Sequence, residues 1–172
     1  KERRPDVQFW VVGGETAGHH TVYYLLSEVY RLGLGPSFKW IERVEYSQMP
    51  HLYALAAASG GLSVSTSQNE SFGMSVIESL ACGCLCIAPR VGALPEVLTG
   101  ELSACLYSFF DEEELVERIL LFLEDDERRN ALGRLGQQGV AERFAVERVG
   151  EQYLKTLQAI VAKATGKNKP ST

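Results

Sequence analysis

Apolar positions along this chain come in two rhythms, short blocks and stripes at helical spacing, and the two alternate. Val7-Gln8-Phe9-Trp10-Val11-Val12 is a short apolar block of β-branched and aromatic residues closed by Gly13-Gly14, which reads as a buried strand. Between His19 and Leu32 the apolar residues Val22, Leu25, Leu26, Val29 and Leu32 recur as on one face of a helix, and Gly33 with Gly35-Pro36 ends it. Ser37 to Ile41 reads as a second strand and Ser47 to Ala58 as a helix, with Pro50 tolerable in its first turn. Leu62 to Ser65 is a third strand, and the polar loop Ser67-Gln68-Asn69-Glu70-Ser71 leads into a helix from Gly73 to Cys82. A fourth strand runs from Cys84 to Ala88, followed by a turn at Pro89 to Gly92, a short helix from Pro95 to Leu98 and a fifth strand at Ala104 to Tyr107. From Asp111 to Lys163 the rhythm is helical, interrupted near Asp125 and near Phe144, and Gly166 to Thr172 is a polar tail.

Strands that alternate with helices predict βαβ units, hence an α/β, doubly wound and mostly parallel sheet of Rossmann-like type. Residues 1–165 read as one such domain and residues 166–172 as its tail. The composition agrees: 172 residues, 45% hydrophobic and 23% charged, belong to a globular chain with a real core. A formal net charge of -5 without a basic stripe speaks against nucleic acid as a partner. Cys82, Cys84, Cys86 and Cys105 lack the paired spacing of a zinc site and read as buried reduced thiols, which fits the cytoplasm. The first residue is Lys1 and the first apolar block follows almost at once, so the chain is expected to be a piece of something longer.

Open parallel sheets bind ligands at the carboxyl ends of their strands, so the strand-to-helix loops are where chemistry is sought. After the first strand, Gly13 and Gly14 open a tight turn, but Gly18 is followed by His19-His20, so neither a P-loop nor the G-x-G-x-x-G spacing is present. The turn is either structural or cleft-lining, and no third residue near the two histidines completes a metal site. The segment from Asn69 to Glu78 is more informative. Its loop carries Glu70, Gly73 permits close backbone approach, and the amides of Phe72, Gly73 and Met74 lie at the positive end of the next helix, a place for a diphosphate. Glu78 lies five residues beyond Gly73, roughly 7–8 Å along the helix at ~1.5 Å per residue, the offset from a diphosphate to a ribose. A carboxylate there accepts hydrogen bonds from vicinal hydroxyls. Glutamates also favour helix starts for dipole reasons alone, so the pair by itself leaves a structural role open.

The flanking residues resolve this into a resemblance. Glu70-Ser71-Phe72-Gly73-Met74 through Glu78, then Ala81-Cys82-Gly83 and Val91-Gly92-Ala93-Leu94-Pro95-Glu96-Val97, resemble the E-x7-E region of the family 4 (group 1) retaining glycosyltransferases. The resemblance spans nearly the whole chain in the family's order: the Val11-Val12-Gly13-Gly14 strand end, the Leu52-Tyr53 helix, the Asp111-to-Leu123 helix and the Arg143-Phe144 start of the last helix. It implies the C-terminal, donor-binding half of a GT-B fold, part of a longer enzyme that moves a hexose from a nucleotide diphosphate sugar to an acceptor hydroxyl without a metal or other cofactor. It assigns Glu70 to the donor sugar and to catalysis, Ser71, Phe72, Gly73 and Met74 to sugar and diphosphate, Glu78 to the ribose, Ile41 and Val44 to the side of the base, and Gly13 and Gly14 to the cleft. The last helix, with Val149, Tyr153, Leu157 and Ile160 or Val161 on one face, crosses in the family toward the partner domain; packing on its own sheet explains that stripe equally well. The departures are Glu42, where a glycine is usual, and Ala145, where a tryptophan is common.

The family's first strand, with its phosphate-binding arginine and lysine, is expected upstream of Lys1, as is the N-terminal acceptor domain. Both the nucleotide sugar and that domain are then partners, and an incomplete sheet edge offers a route to homo-oligomers. Any peripheral membrane contact falls to the absent half. The isolated fragment is expected to be inactive. Two other readings fit the same cleft: a non-catalytic nucleotide-binding or interaction module, and a non-hydrolysing sugar epimerase, which the E-x7-E segment disfavours.

Overall fold

The computed structural model describes residues 3–13 and 19–164, which fall in two compact units, Lys1–Met49 and Pro50–Thr172. The first unit holds β1 (Phe9–Val12), α1 (His19–Arg31) and β2 (Phe38–Ile41), with a 3-10 turn at Gly35–Ser37 where Gly35-Pro36 stops the helix. β1 and β2 pair in parallel, from Phe9 opposite Phe38 to Val12 opposite Ile41. Among the described residues β1 pairs with β2 alone. The expected burial of β1 is not observed. Its four apolar residues are 37–43% exposed.

The second unit follows with α2 (Met49–Ala58), β3 (Ser63–Val64), α3 (Met74–Ala81), β4 (Cys86–Pro89), the short α4 (Leu94–Val97), β5 (Leu106–Tyr107), α5 (Glu112–Glu124), α6 (Asp126–Phe144) and α7 (Val146–Ala164). β4 is central and pairs in parallel with β3 on one side and β5 on the other. Its four successive residues are all buried, which in a pleated strand means that both faces are covered. α3 and α5 pack against β4, and α6 against α3 and α5. The core is built from Val76, Ile77 and Leu80 of α3, Leu85 to Ala88, Leu94, Leu98, Leu106 and Phe122.

One buried polar group ties two elements of this core. The buried Ser79 hydroxyl donates to the Cys84 carbonyl at 2.8 Å and lies 2.7 Å from the Ser63 hydroxyl, tying β3 and the α3–β4 connection together. Asp125 caps α6 by accepting from the Arg128 amide at 2.9 Å, as its place before the second helical stretch predicts. Two expectations change. Ala104 and Cys105 close a 3-10 helix over Gly100–Cys105 instead of opening β5, and Cys84 and Leu85 precede β4 instead of belonging to it. All four cysteines are free thiols, with Cys84, Cys86 and Cys105 buried and Cys82 half-buried. The described part of α7 buries no residue, so its apolar stripe does not pack on its own sheet. No described helix is long and apolar enough to cross a membrane. The polar tail lies outside the described residues.

Candidate functional site

In the second unit three loops leave the carboxyl ends of β3, β4 and β5, and two of them are nested together. The Glu70 carbonyl accepts a hydrogen bond from the Ala93 amide at 2.9 Å. Gly92 runs so close beneath it that a Cβ there would lie 2.0 Å from that carbonyl oxygen. The Glu70 side chain turns onward, and one carboxylate oxygen accepts from the Gly73 amide at 3.1 Å. Gly73 caps α3 at φ 86, with the Leu94 side chain against it. The first intrahelical bond of α3 runs from the Ile77 amide to the Gly73 carbonyl, so the amides just before Ile77 have no acceptor within the helix. Around this turn Gly73 is buried, Glu70 and Glu78 half-buried, and Ser71, Phe72 and Met74 exposed.

The first unit carries the base-side and cleft candidates at the ends of its own strands. The Gly13 amide donates to the Ile41 carbonyl at 2.9 Å, and the Trp40 indole N–H donates to the Gly13 carbonyl at 2.8 Å. Ile41 ends β2 and Val44 follows in the next loop, both half-buried. Gly14 lies outside the described residues. The candidates therefore gather as Glu70 to Glu78 in one unit and Gly13 with Ile41 in the other, each group at strand carboxyl ends.

The family described as "Glycosyl transferases group 1" matches residues 1–139 of this sequence. The chain belongs to this family. The GDP-mannose-dependent monoacylated alpha-(1-6)-phosphatidylinositol monomannoside mannosyltransferase of Corynebacterium glutamicum is 30% identical over 166 residues, covering 91% of this chain and 40% of that protein. Sucrose-phosphate synthase from Thermosynechococcus elongatus superposes with a TM-score of 0.81 at 24% identity, over 94% of this chain and 40% of that one. The Anabaena protein HepE, solved in complex with UDP, superposes with a TM-score of 0.79 at 26% identity, over 90% of this chain and 42% of that one. The chain thus spans less than half the length of each of these relatives. Its fold is the Rossmann-like α/β arrangement of the GT-B glycosyltransferases.

Within this glycosyltransferase domain the electrostatic environment of Glu78 includes a residue that spacing alone does not reveal. Tyr53 of α2 is half-buried; burial pushes its phenol up to about 12, and the Glu78 carboxylate pushes in the same direction. Two segments far apart in sequence, α2 and the middle of α3, come within electrostatic range of each other here. Burial also raises the thiols, Cys86 and Cys105 to about 12, which keeps them protonated at neutral pH.

The third loop, after β5, is held by a carboxylate. Glu114 accepts from the Ser108 amide at 2.7 Å and from Arg118 at 3.0 Å, while Asp111 caps α5 by accepting from the Glu114 amide at 2.9 Å. The Ser108 hydrogen bonds, helped by Arg118, hold the Glu114 carboxyl at about 2, below its ordinary 4.5. A carboxyl with a depressed folded value stabilises the fold above its unfolded value and loses that contribution as pH falls. Glu114→Gln is therefore expected to lower stability at neutral pH, with the gap from wild type closing between pH 4.5 and about 2. Urea unfolding at a series of pH values checks this; a gap that is constant across that window would show that the charge contributes nothing.

Proposed function

We propose that this chain is the C-terminal, donor-binding part of a family 4 retaining glycosyltransferase that moves a hexose from a nucleotide diphosphate sugar to an acceptor hydroxyl. The observation that carries this reading is the nesting of the Glu70 loop on the Gly92 turn. It fixes a carboxylate and a helix start side by side at the carboxyl ends of β3 and β4. In this arrangement Glu70 and the Gly73 amide satisfy each other; an incoming donor replaces that bond, the amides turning to the diphosphate and Glu70 to the sugar hydroxyls. Ser71, Phe72 and Met74 border the sugar and diphosphate, and Glu78, one and a half turns along α3, accepts from the ribose hydroxyls. Ile41 and Val44 take the side of the base. The chemistry is electrostatic stabilisation of the departing diphosphate and positioning of the acceptor hydroxyl on the same face, with no covalent enzyme nucleophile. HepE, 26% identical, was solved with UDP, which supports a nucleotide diphosphate as the ligand class. The exposed apolar face of α7, with Val149, Tyr153 and Leu157, meets the acceptor half of the enzyme.

Titration of the chain with UDP, GDP and ADP tests the reading. One of them is expected to bind, and Glu78→Ala is expected to weaken it by about 10- to 100-fold, the loss of a charge-assisted hydrogen bond of ~1.5–3 kcal/mol. The 2′,3′-dideoxy form of the same nucleotide should bind wild type and Glu78→Ala alike. Unchanged affinity in Glu78→Ala would remove its ribose role. The chain alone is expected to bind without transferring sugar, and turnover by residues 1–172 near the rate of a full-length enzyme would overturn that part.

A further inference from the structure

The joint between α6 and α7 reaches back to the donor loop by two routes, and the family resemblance assigns no site role to Arg143 or Phe144. Arg143, in the last turn of α6, donates to the Glu96 carbonyl at 3.0 Å and the Val97 carbonyl at 2.6 Å. These are carbonyls at the end of α4, whose first residue, Leu94, lies against Gly73, and whose N-cap, Ala93, donates to the Glu70 carbonyl. The second route is direct. The Phe144 ring meets the Phe72 ring edge to face, with centroids 5.7 Å apart and planes at 85°, an aromatic pairing that adds to simple burial. The Arg143 guanidinium sits 5.0 Å over the Phe144 ring, so the two routes are locked to each other. Ala145, with ψ 137, then breaks the helix and α7 begins.

We infer that Arg143 and Phe144 are positioning residues for the donor loop: from the α6–α7 joint they hold Phe72 and α4 in place, and through them the Glu70–Gly73 turn. An isolated surface pair would tie one ring to another; this pair ties a helix terminus to both walls of the nested turn. The inference rests on the donor reading for its functional meaning, but its geometry involves only this chain's own residues.

The test is amide hydrogen exchange by NMR in the ligand-free chain, with UDP, GDP and ADP titrations alongside. Phe144→Leu is expected to speed exchange at Gly73 and Ala93 by about 3- to 10-fold, the value of one aromatic pair. Exchange at Ser65, whose amide is bonded to the Ile87 carbonyl in the core, should stay as in wild type. Phe144→Tyr should retain wild-type exchange, and Phe72→Leu combined with Phe144→Leu should add nothing to either alone. Nucleotide affinity should fall in Phe144→Leu by a similar factor. Wild-type exchange at Gly73 and Ala93 in Phe144→Leu, or an equal rise at Ser65, would overturn the inference. Absence of nucleotide binding by the wild-type chain would instead overturn the donor reading, because the exchange result is obtained without ligand.

Discussion

Phe122→Ala is expected to destabilise the second unit by about 3–5 kcal/mol, the usual cost of emptying a large aromatic site in a packed core. Phe122 is fully buried on α5 and is the largest of the side chains in that state. Its backbone carbonyl accepts a 2.7 Å hydrogen bond from the buried Arg129 of α6. That guanidinium also pairs with the exposed Asp126 at 2.7 Å, so the charge is matched in both the parent and the variant. The substitution therefore removes packing, and with it the contact of the Arg128 guanidinium 5.6 Å over the ring, while the backbone tie from Arg129 stays intact; its cost is cavity plus lost transfer energy plus that one cation–π contact. Val116, on the same helix but 52% exposed, supplies the contrast: Val116→Ala should change stability by less than ~0.5 kcal/mol. Urea unfolding followed by tryptophan-independent far-ultraviolet dichroism measures both. Equal effects at the two positions would mean that α5 does not close the core.

Much of this architecture is legible in the chain itself. Asp111 and Asp125 announce their helices because a short acidic side chain before an apolar stripe is what an N-cap requires, and both do cap. Strand and helix order follows from the switch of hydrophobic period, which needs no tertiary information. Ala104 and Cys105 mislead for the same reason. Periodicity cannot tell a short apolar 3-10 turn from the start of a strand, and only the neighbouring ladder decides. Burial of β1 was beyond reach, since Phe9 to Val12 read as core from composition while exposure depends on which elements lie beside them. In the site, the spacing of Glu70, Gly73 and Glu78 is legible because it lies within one loop and helix, and the roles proposed for them come from the resemblance of the flanking residues. The tie made by Arg143 is not visible, because its partners are backbone carbonyls 46 and 47 residues away and a carbonyl has no sequence signature. Tyr53 and Phe144 fall in the family's order, but their contacts escape for the related reason that they depend on which distant side chain each faces.

Gly92→Ala is expected to cost about 2–5 kcal/mol locally, adding ~1–2 kcal/mol of left-handed backbone strain to ~1–3 kcal/mol of overpacking. The backbone stands at φ 50 there, and the new methyl would lie 2.0 Å from the Glu70 carbonyl oxygen, 2.9 Å from its carbon and 3.1 Å from the Glu70 nitrogen. All three neighbours are backbone, so no rotamer change relieves the clash. Gly92 is itself exposed, and the nearest escape is for the Glu70 loop to lift from the turn, breaking the hydrogen bond from the Ala93 amide. Most of the strain is then released at the donor loop, not in the core. Nucleotide binding should accordingly fall by at least about tenfold, the equivalent of ~1.4 kcal/mol, while the β4 core amides keep wild-type exchange. Gly100 separates the two causes, since it stands at φ 59 with open space around its Cβ position. Gly100→Ala should show the backbone strain of ~1–2 kcal/mol and leave binding unchanged. Wild-type nucleotide affinity in Gly92→Ala would mean that the Glu70 loop does its work without resting on the turn, and the nesting would lose its place in the mechanism.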